Sequence, residues 1–423
     1  MRYLVFTLTL VCISWLISLP VDALEQGFFF WRNQGIQLSG VLAIVLLSAL
    51  LWLATRPRWL EQRLGGLDHL YQLHKWSGIS CALLVTLHWV LTKAPRWLID
   101  LGWLAATGRR PHGANPWASL ARDLGEWAFY GMLLLIVISL IRALPYGRFR
   151  LIHKLGAVLA LMAQVHSLYL LAPALRWTPF GWVTQVLILL GLVATAYSLS
   201  GQIGRRQRFD GELLALTVHS NATLSLTVRV DRRFGRDYRP GQFALLTLHP
   251  AEGAHPFTIV HFDAASGQVQ FAIKPLGDYT RSLAQRLRVG MRCQLEGPYG
   301  GFTLPEASNS EQYWIAGGIG ITPFIAWLDS LAQRGERRSQ TRLIYCVERQ
   351  QDRLFEAQLQ ALCLRTGVQL QIVQRDQDGL LDASQLSSRH PGACWFCGPA
   401  GMRAMLAHWF SPRQLHYEHF DFR

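Results

Sequence analysis

HKWSGISCALLVTLH (residues 74–88) and HKLGAVLALMAQVH (residues 153–166) are the two stretches that decide how this chain is read. Each is an apolar run with a histidine at either end, overlapping a longer apolar segment (75–93 and 151–173). Segments of that kind approach the ~20 residues that cross a bilayer. An ionisable side chain at that depth is costly and is kept for a purpose. Counting spans outward from these two makes them the third and fifth, so they run in the same direction. His74 can then face His153 at one level, and His88 can face His166 at another. Neutral imidazole is a standard axial ligand of haem iron, so two facing pairs would hold two b-type haems, one above the other. The phase is imperfect. Fourteen residues return to within ~40° of one helical face, but thirteen leave His153 and His166 ~140° apart on an ideal helix. Local overwinding or tilt is therefore required. His69 in a loop is a poorer ligand, and His112 is expected in solvent.

The remaining apolar segments are 3–20, 37–54, 124–143 and 179–199, which gives six candidate spans. The 423 residues are 51% hydrophobic with a mean hydropathy of +0.18, and nearly all long apolar runs fall before residue 201. The first run, followed by Val21-Asp22-Ala23, also has the look of a cleaved leader; it is read here as a retained helix. Arg56, Arg58, Arg63 and Lys75 follow span two. Arg142, Arg148, Arg150 and Lys154 follow span four, and Arg205, Arg206 and Arg208 follow span six. Basic residues collect on the cytosolic side of a membrane protein, so these loops and the whole of the following half are placed in the cytosol. The opposite side, at Lys93 and through the loop 94–123 with Arg96, Arg109, Arg110 and Arg122, has its basic residues spread over a longer stretch. A net charge of +14 laid out this way is a membrane pattern and argues against nucleic-acid binding. Seven cysteines at scattered spacings make no disulfide framework. Cys394 and Cys397 are formally a C-x-x-C, but within a strand their side chains should not converge on a metal.

From 211 to 300 short runs alternate apolar and polar residues, as in Leu224–Val230 and Val269–Ile273, between Gly and Pro turns. That is the pattern of a small antiparallel barrel. Three motifs lie in it: Arg239-Pro240-Gly241-Gln242-Phe243, His255-Pro256-Phe257-Thr258 and Gly277-Asp278-Tyr279-Thr280. The last looks like a turn entering a helix, whose free N–H groups can hold a pyrophosphate.

From 311 the pattern becomes strand, turn, helix. The strand Gln312–Ala316 leads into Gly317-Gly318-Ile319-Gly320-Ile321-Thr322-Pro323, then an apolar helix from Phe324. Glycine admits phosphate close to the backbone, and Pro323 suits a first helical turn. The last glycine of the usual dinucleotide fingerprint is missing. The strand Arg342–Val347 precedes Glu348, Arg349 and Arg353. A later strand ends in Cys397-Gly398-Pro399-Ala400-Gly401-Met402.

Taken together, Arg239–Phe243, His255–Thr258, Gly317–Pro323, Cys397–Met402 and the tail His416–Phe420 resemble the ferredoxin–NADP reductase superfamily. The paired histidines resemble the ferric reductase and NADPH oxidase family, which fuses both parts. The resemblance covers all but the first ~35 residues. It implies a membrane α-helical bundle of about six helices (1–203), an antiparallel β-barrel FAD domain (204–305) and an α/β NAD(P)-binding domain (306–423). By the same resemblance, Phe257 would lie against the flavin ring and Thr258 near its reactive N5. His255 and the Gly277–Thr280 turn would hold the ribityl and pyrophosphate, alongside Arg239, Gly241, Gln242 and Pro256. Gly317, Gly318, Gly320, Thr322 and Pro323 would meet the nucleotide phosphates. Cys397, Gly398, Pro399 and Glu418 would border the nicotinamide, and Phe420 would cover the flavin until nicotinamide displaces it. Arg349 and Arg353 could pair with a 2′-phosphate, favouring NADPH over NADH, whereas Glu348 could contact a ribose hydroxyl.

No calcium-binding EF-hand precedes the membrane part and no long insertion points to activating subunits, so neither form of regulation and no obligatory protein partner is expected. The expected chain is an integral plasma (inner) membrane oxidoreductase, using FAD, two b-type haems and NAD(P)H, with oxygen or a ferric chelate as acceptor. An electron-transfer subunit for an extracytoplasmic redox protein is the alternative from another class. A haem sensor fits less well with intact nucleotide motifs.

Overall fold

The computed structural model describes residues 2–104, 115–141, 146–250, 252–308, 310–382, 386 and 392–418. The chain divides into two compact units. One holds the residues up to Leu60 and His69–Ile203; the other holds Glu61–Asp68 together with the chain from Gly204 onward.

The first unit is helical. Its elements are α1 (Arg2–Ile17), α2 (Phe28–Thr55), α3 (Arg58–Leu64, shared with the second unit), α4 (Leu67–Asp100), α5 (Pro116–Leu140), α6 (Tyr146–His153), α7 (Leu155–Leu170) and α8 (Pro179–Leu199). Among the described residues, five helical stretches are long and apolar enough to cross a membrane: α2, α4, α5, residues 148–170 and α8. α1 is a shorter apolar helix. The helix starts have local causes. Asn115 caps α5 by accepting from Trp117 N and Ala118 N, with Pro116 in the first turn. Thr178 and Pro179 do the same for α8.

α2 begins nine residues before the expected Gln37, running through Arg32, Asn33 and Gln34, whose polarity disguised it as a loop. These side chains find partners along the helix. Trp15 Nε1 donates to Gln34 Oε1 at 3.2 Å, and Gln37 donates to Leu170 O. Arg32 Nε donates to Leu91 O at 2.8 Å and its Nη2 to Thr92 O at 3.0 Å. Leu91 O is the carbonyl that would have bonded the N–H of residue 95. Residue 95 is Pro95, inside α4, so that N–H does not exist. The guanidinium supplies the missing donor, and α4 continues past the proline. Small residues let the helices approach: a Cβ on Gly131 would stand 2.6 Å from Leu159, and one on Gly191 would stand 2.5 Å from Ser48 Oγ.

The second unit begins with a closed antiparallel barrel ordered β1-β2-β5-β4-β3-β6, where β1 is Arg208–Val218, β2 Leu224–Val230, β3 Phe243–Thr247, β4 His255–Asp263, β5 Gln268–Ile273 and β6 Arg292–Tyr299. The alternation read in the sequence is the inside–outside alternation of the barrel. Leu224, Leu226, Val228 and Val230 of β2 are buried, with Leu246, Ile259, Val269, Phe271 and Leu295 beside them in one core. The helix α9 (Asp278–Arg286) follows β5.

A five-stranded parallel sheet completes the unit, ordered β11-β10-β7-β8-β9. Its strands are β7 (Gln312–Gly317), β8 (Thr341–Val347), β9 (Gln369–Gln374), β10 (Cys394–Cys397) and β11 (Leu415–Tyr417). Its helices are α10 (Thr322–Arg334), α11 (Glu356–Thr366), α12 (Arg375–Asp378) and α13 (Ala400–Leu406). β7 is buried throughout, as expected of a strand covered on both faces. Trp314, Phe324 and Trp327 fill the core beneath α10. Trp327 Nε1 donates to Pro240 O at 3.0 Å and His261 Nδ1 lies 2.7 Å from Asp329 Oδ2, so α10 also grips the barrel. The shared hydrogen bond with Asp329 outweighs partial burial and raises the pKa of His261.

Candidate functional site

In the helical unit, the four expected histidines stand as two facing pairs. The ring centres of His74 and His153 are 5.9 Å apart, and those of His88 and His166 are 6.2 Å apart. Two metal–nitrogen bonds of ~2 Å each, plus about 1 Å from each nitrogen to its ring centre, give a separation of about 6 Å. Both pairs fit that spacing. Every ring is held by its other nitrogen. His74 Nδ1 donates to Leu50 O (3.2 Å), His88 Nδ1 to Ile36 O (3.0 Å) and His166 Nδ1 to Ala121 O (2.8 Å). His153 Nδ1 meets Ser139 Oγ at 3.3 Å, a hydroxyl whose own proton goes to Leu135 O. A carbonyl can only accept, so Nδ1 carries the proton and Nε2 keeps the lone pair that binds metal. The donor set and its spacing therefore fit two bis-imidazole haems. His153 and His166 face their partners although they lie thirteen residues apart on one helical stretch, residues 148–170, whose only irregularity between them is at Lys154, where α6 ends at His153 and α7 begins at Leu155.

Two glycines make room for the second pair. Ile36 is followed four residues later by Gly40, and Ala121 four residues later by Gly125. A Cβ on Gly40 would stand 3.1 Å from the His88 ring, and one on Gly125 would stand 2.1 Å from His166 Nδ1. In both cases the carbonyl takes the imidazole proton, and the glycine one turn on clears the space. Sequence reading passed over this carbonyl–glycine pairing, although both glycines are visible on spans two and four.

In the barrel, the first two motifs are neighbours because β3 and β4 pair with Phe243 opposite Thr258, Ala244 opposite Phe257, Leu245 opposite Pro256 and Leu246 opposite His255. Gln242 fixes the turn before β3: its Oε1 accepts from Arg239 N at 2.8 Å and its Nε2 donates to Gly300 O at 3.0 Å. Gly241 has φ +99° and no room for a side chain, since a Cβ would stand 2.2 Å from Phe302 O. The third motif joins the second through a stack of His255 on Tyr279, 3.9 Å between ring centres. At the start of α9, Thr280 Oγ1 accepts from Leu276 N (2.9 Å) and Gly277 N (3.1 Å).

In the parallel sheet, β7 and β10 are adjacent, which brings two further motifs together. A Cβ on Gly320 would stand 2.1 Å from Cys397 O, and one on Gly317 would stand 2.6 Å from Pro399. Gly398 is 3.0 Å from Gly317 by the same measure. Thr322 Oγ1 donates to Ile319 O at 3.0 Å, and α10 starts there, two residues ahead of the expected Phe324, with Pro323 in its first turn. Cys397 is buried between this loop and Glu418, and burial with the nearby carboxyl pushes its thiol pKa well up. Cys394 and Cys397 are both free thiols in β10. Phe420 lies outside the described residues.

Two cations that sequence reading missed belong here. Lys274 follows β5. Its Nζ lies 3.5 Å from Asp352 and 4.0 Å from the Cβ position of Gly318. Arg375 begins α12 and holds Glu348, with Nη1 at 3.0 and 3.2 Å from its two oxygens. The two expected arginines part company. Arg349 is exposed at the end of β8, whereas Arg353 is partly buried and pairs with Glu356 at 3.6 Å.

Comparison with known proteins matches three family models: a ferric reductase like transmembrane component over 39–164, an FAD-binding domain over 208–303 and an oxidoreductase NAD-binding domain over 314–408. A protein of Aspergillus oryzae described as a probable cell surface ferric reductase is 26% identical over 73% of this chain and 42% of its own length. The reductase component of a propane 2-monooxygenase from Mycolicibacterium goodii is 30% identical over 30% of the chain and 37% of its own length. Ferric reduction oxidase 8 of Arabidopsis thaliana is 26% identical over 41% of the chain and 25% of its own length. The chain thus spans less than half the length of these relatives. With apolar helices, barrel and nucleotide sheet in one polypeptide, the chain joins a ferric reductase like transmembrane component to an FAD-binding and an oxidoreductase NAD-binding domain, the make-up of a multi-pass membrane oxidoreductase.

Proposed function

We propose that this chain carries electrons from cytosolic NAD(P)H, by way of FAD and two b-type haems, to an acceptor beyond the membrane. Oxygen, giving superoxide, is the favoured acceptor. The observation that carries the reading is the pair of imidazole couples, each ring fixed through Nδ1 with Nε2 left for iron. His74 and His153 would hold the inner haem, and His88 and His166 the outer. FAD when bound accepts a hydride and gives up electrons singly, which a nicotinamide cannot do. The chain's own residues supply position. Arg239, Gly241, Gln242, His255, Pro256, Phe257, Gly277 and Thr280 seat the flavin, and Thr258 lies beside the hydride-accepting edge. Gly317, Gly318, Gly320, Thr322 and Pro323 seat the nucleotide phosphates. Cys397, Gly398, Pro399 and Glu418 border the nicotinamide, and Phe420 covers the flavin until nicotinamide displaces it. The protein would sit in the plasma (inner) membrane with its soluble half in the cytoplasm.

The test is a spectrum of the purified, haem-replete protein, with two low-spin b-haems per chain expected. Superoxide would appear as cytochrome c reduction that superoxide dismutase suppresses. A protein without a haem band overturns the reading. Reduction of a ferric chelate untouched by the dismutase assigns the chain to the second reading, ferric-chelate reduction, which the description of the Aspergillus relative supports.

NADPH is the favoured donor. Arg375 neutralises Glu348, the carboxylate that would select a ribose hydroxyl, while Arg349 stands exposed beside it. A charge-assisted contact to a 2′-phosphate contributes ~1.5–3 kcal/mol. Arg349→Ala should therefore raise KM for NADPH about tenfold or more and leave KM for NADH within about twofold. Equal changes for both nucleotides would remove Arg349 from the phosphate site.

A further inference from the structure

The four imidazoles are not held alike. Three give their Nδ1 protons to backbone carbonyls: His74 to Leu50 O, His88 to Ile36 O and His166 to Ala121 O. His153 has a side chain instead. Its Nδ1 lies 3.3 Å from Ser139 Oγ, the one partner of that nitrogen among the described residues. We propose that Ser139 is a positioning residue that sets the basicity of His153, and through it the redox potential of the inner haem independently of the outer. The inference rests on the two-haem reading above.

Ser139 reaches His153 because α5 and the stretch 148–170 pack closely. A Cβ on Gly131 would stand 2.6 Å from Leu159, and one on Gly156 would stand 3.2 Å from Leu135. A side chain as short as serine then spans the gap. Ser139 Oγ donates its own proton to Leu135 O, one turn back, at 2.7 Å. A lone pair is left for Nδ1. Phe149 stands against the same imidazole, 5.2 Å between ring centres, so the ring does not depend on Ser139 alone for its place.

The kind of acceptor matters. An imidazole that shares its Nδ1 proton becomes more basic at Nε2. A more basic axial ligand favours ferric over ferrous iron and lowers the potential. Amide resonance loads negative charge on a carbonyl oxygen; a hydroxyl oxygen carries less and accepts more weakly. The inner couple therefore has one ligand backed by a carbonyl and one backed by a hydroxyl, whereas both outer ligands are backed by carbonyls. A serine close by does not by itself make this difference. Ser39 Oγ also lies 3.3 Å from His88 Nδ1, but Ile36 O accepts from that nitrogen at 3.0 Å and takes the Ser39 proton at 3.2 Å. A backbone carbonyl survives any change of side chain. Of the four hydrogen bonds, the one at His153 is the one a substitution can tune.

The experiment is a spectroelectrochemical titration of the full chain loaded with FAD and haem, in which the wild type should show two low-spin components. Ser139→Ala removes the acceptor. One component should move to more positive potential, with its reduced-to-oxidised ratio at a fixed poise rising about threefold or more, and the other should stay. Ser139→Cys keeps the size with a poorer acceptor and should shift the same component the same way. Ser139→Thr restores a hydroxyl and should titrate as wild type. The single component left by His88→Leu should be the one that Ser139→Ala moves. Ser39→Ala should leave both components in place. A haem content of two per chain in the serine variants separates tuning from loss of the site. Absence of a haem spectrum in the wild type would end the underlying reading. With two haems present, unmoved potentials in both Ser139→Ala and Ser139→Cys would overturn the role of Ser139 alone. So would a Ser139→Thr variant that titrates like Ser139→Ala, or a shift of both components together.

Discussion

Replacing His88 with leucine should reduce NAD(P)H-driven reduction of the far-side acceptor to background while NAD(P)H-to-dye reduction persists. The leucine removes one nitrogen of the outer pair and leaves His166 facing a hydrocarbon side chain across what was a 6.2 Å gap. A single imidazole does not close a six-coordinate site, so the haem content should fall from about two per chain to about one. The inner couple, His74 with His153, is on a different level of the same helices and should keep its spectrum. The soluble half contains none of these residues, so a soluble dye that draws electrons from the flavin should be reduced at nearly the wild-type rate. Pyridine haemochrome content, the low-spin spectrum and the two reductase assays give four independent readings. Equal loss of dye and far-side reduction would mean that the two halves are not arranged in series.

Gly125→Ala should do nearly as much without touching a ligand. The added methyl would stand 2.1 Å from His166 Nδ1, 2.4 Å from its Cε1 and 2.7 Å from its Cγ. These are ring atoms held in place by the bond to Ala121 O, so the ring must tilt or α5 must shift. Overpacking of this kind costs ~1–3 kcal/mol, and disturbing the support of a metal ligand weakens the site ~10–100-fold. Gly40→Ala provides the comparison, because its methyl would meet the His88 ring at 3.1 Å. A few tenths of an ångström of relaxation accommodate it. Outer-haem retention after dilution into haem-free detergent should fall steeply for Gly125→Ala and only slightly for Gly40→Ala. Equal retention in both would mean that the imidazole position is not set by these glycines.

What could be read in the sequence was what repeats at short range. The barrel strands announced themselves by alternation, because each has one wet and one dry face. The four histidines stood out because a bilayer leaves few reasons to keep an ionisable group. Several of the misses are pairings over long sequence distance. Arg32 and Pro95 are separated by most of two helices, and nothing local says that the arginine satisfies the carbonyl the proline leaves open. Arg375 reaches Glu348 only because β9 lies beside β8. Arg353, one turn further along, looks equally available in sequence yet turns to Glu356. The irregularity at Lys154, between α6 and α7, had no residue signal, since Lys154 is an ordinary helix former.

Segment 61–68 carries one last consequence. The flavoprotein half is not a continuous length of polypeptide that could be cut free at Gly204. A truncated reductase starting there would leave the Gly300 amide without its carboxylate acceptor, Glu61, and would lay open the surface at Gly301 that Gly65 covers. Such a fragment would be a module with a missing tile, and its flavin affinity and thermal tolerance would describe the wound as much as the enzyme.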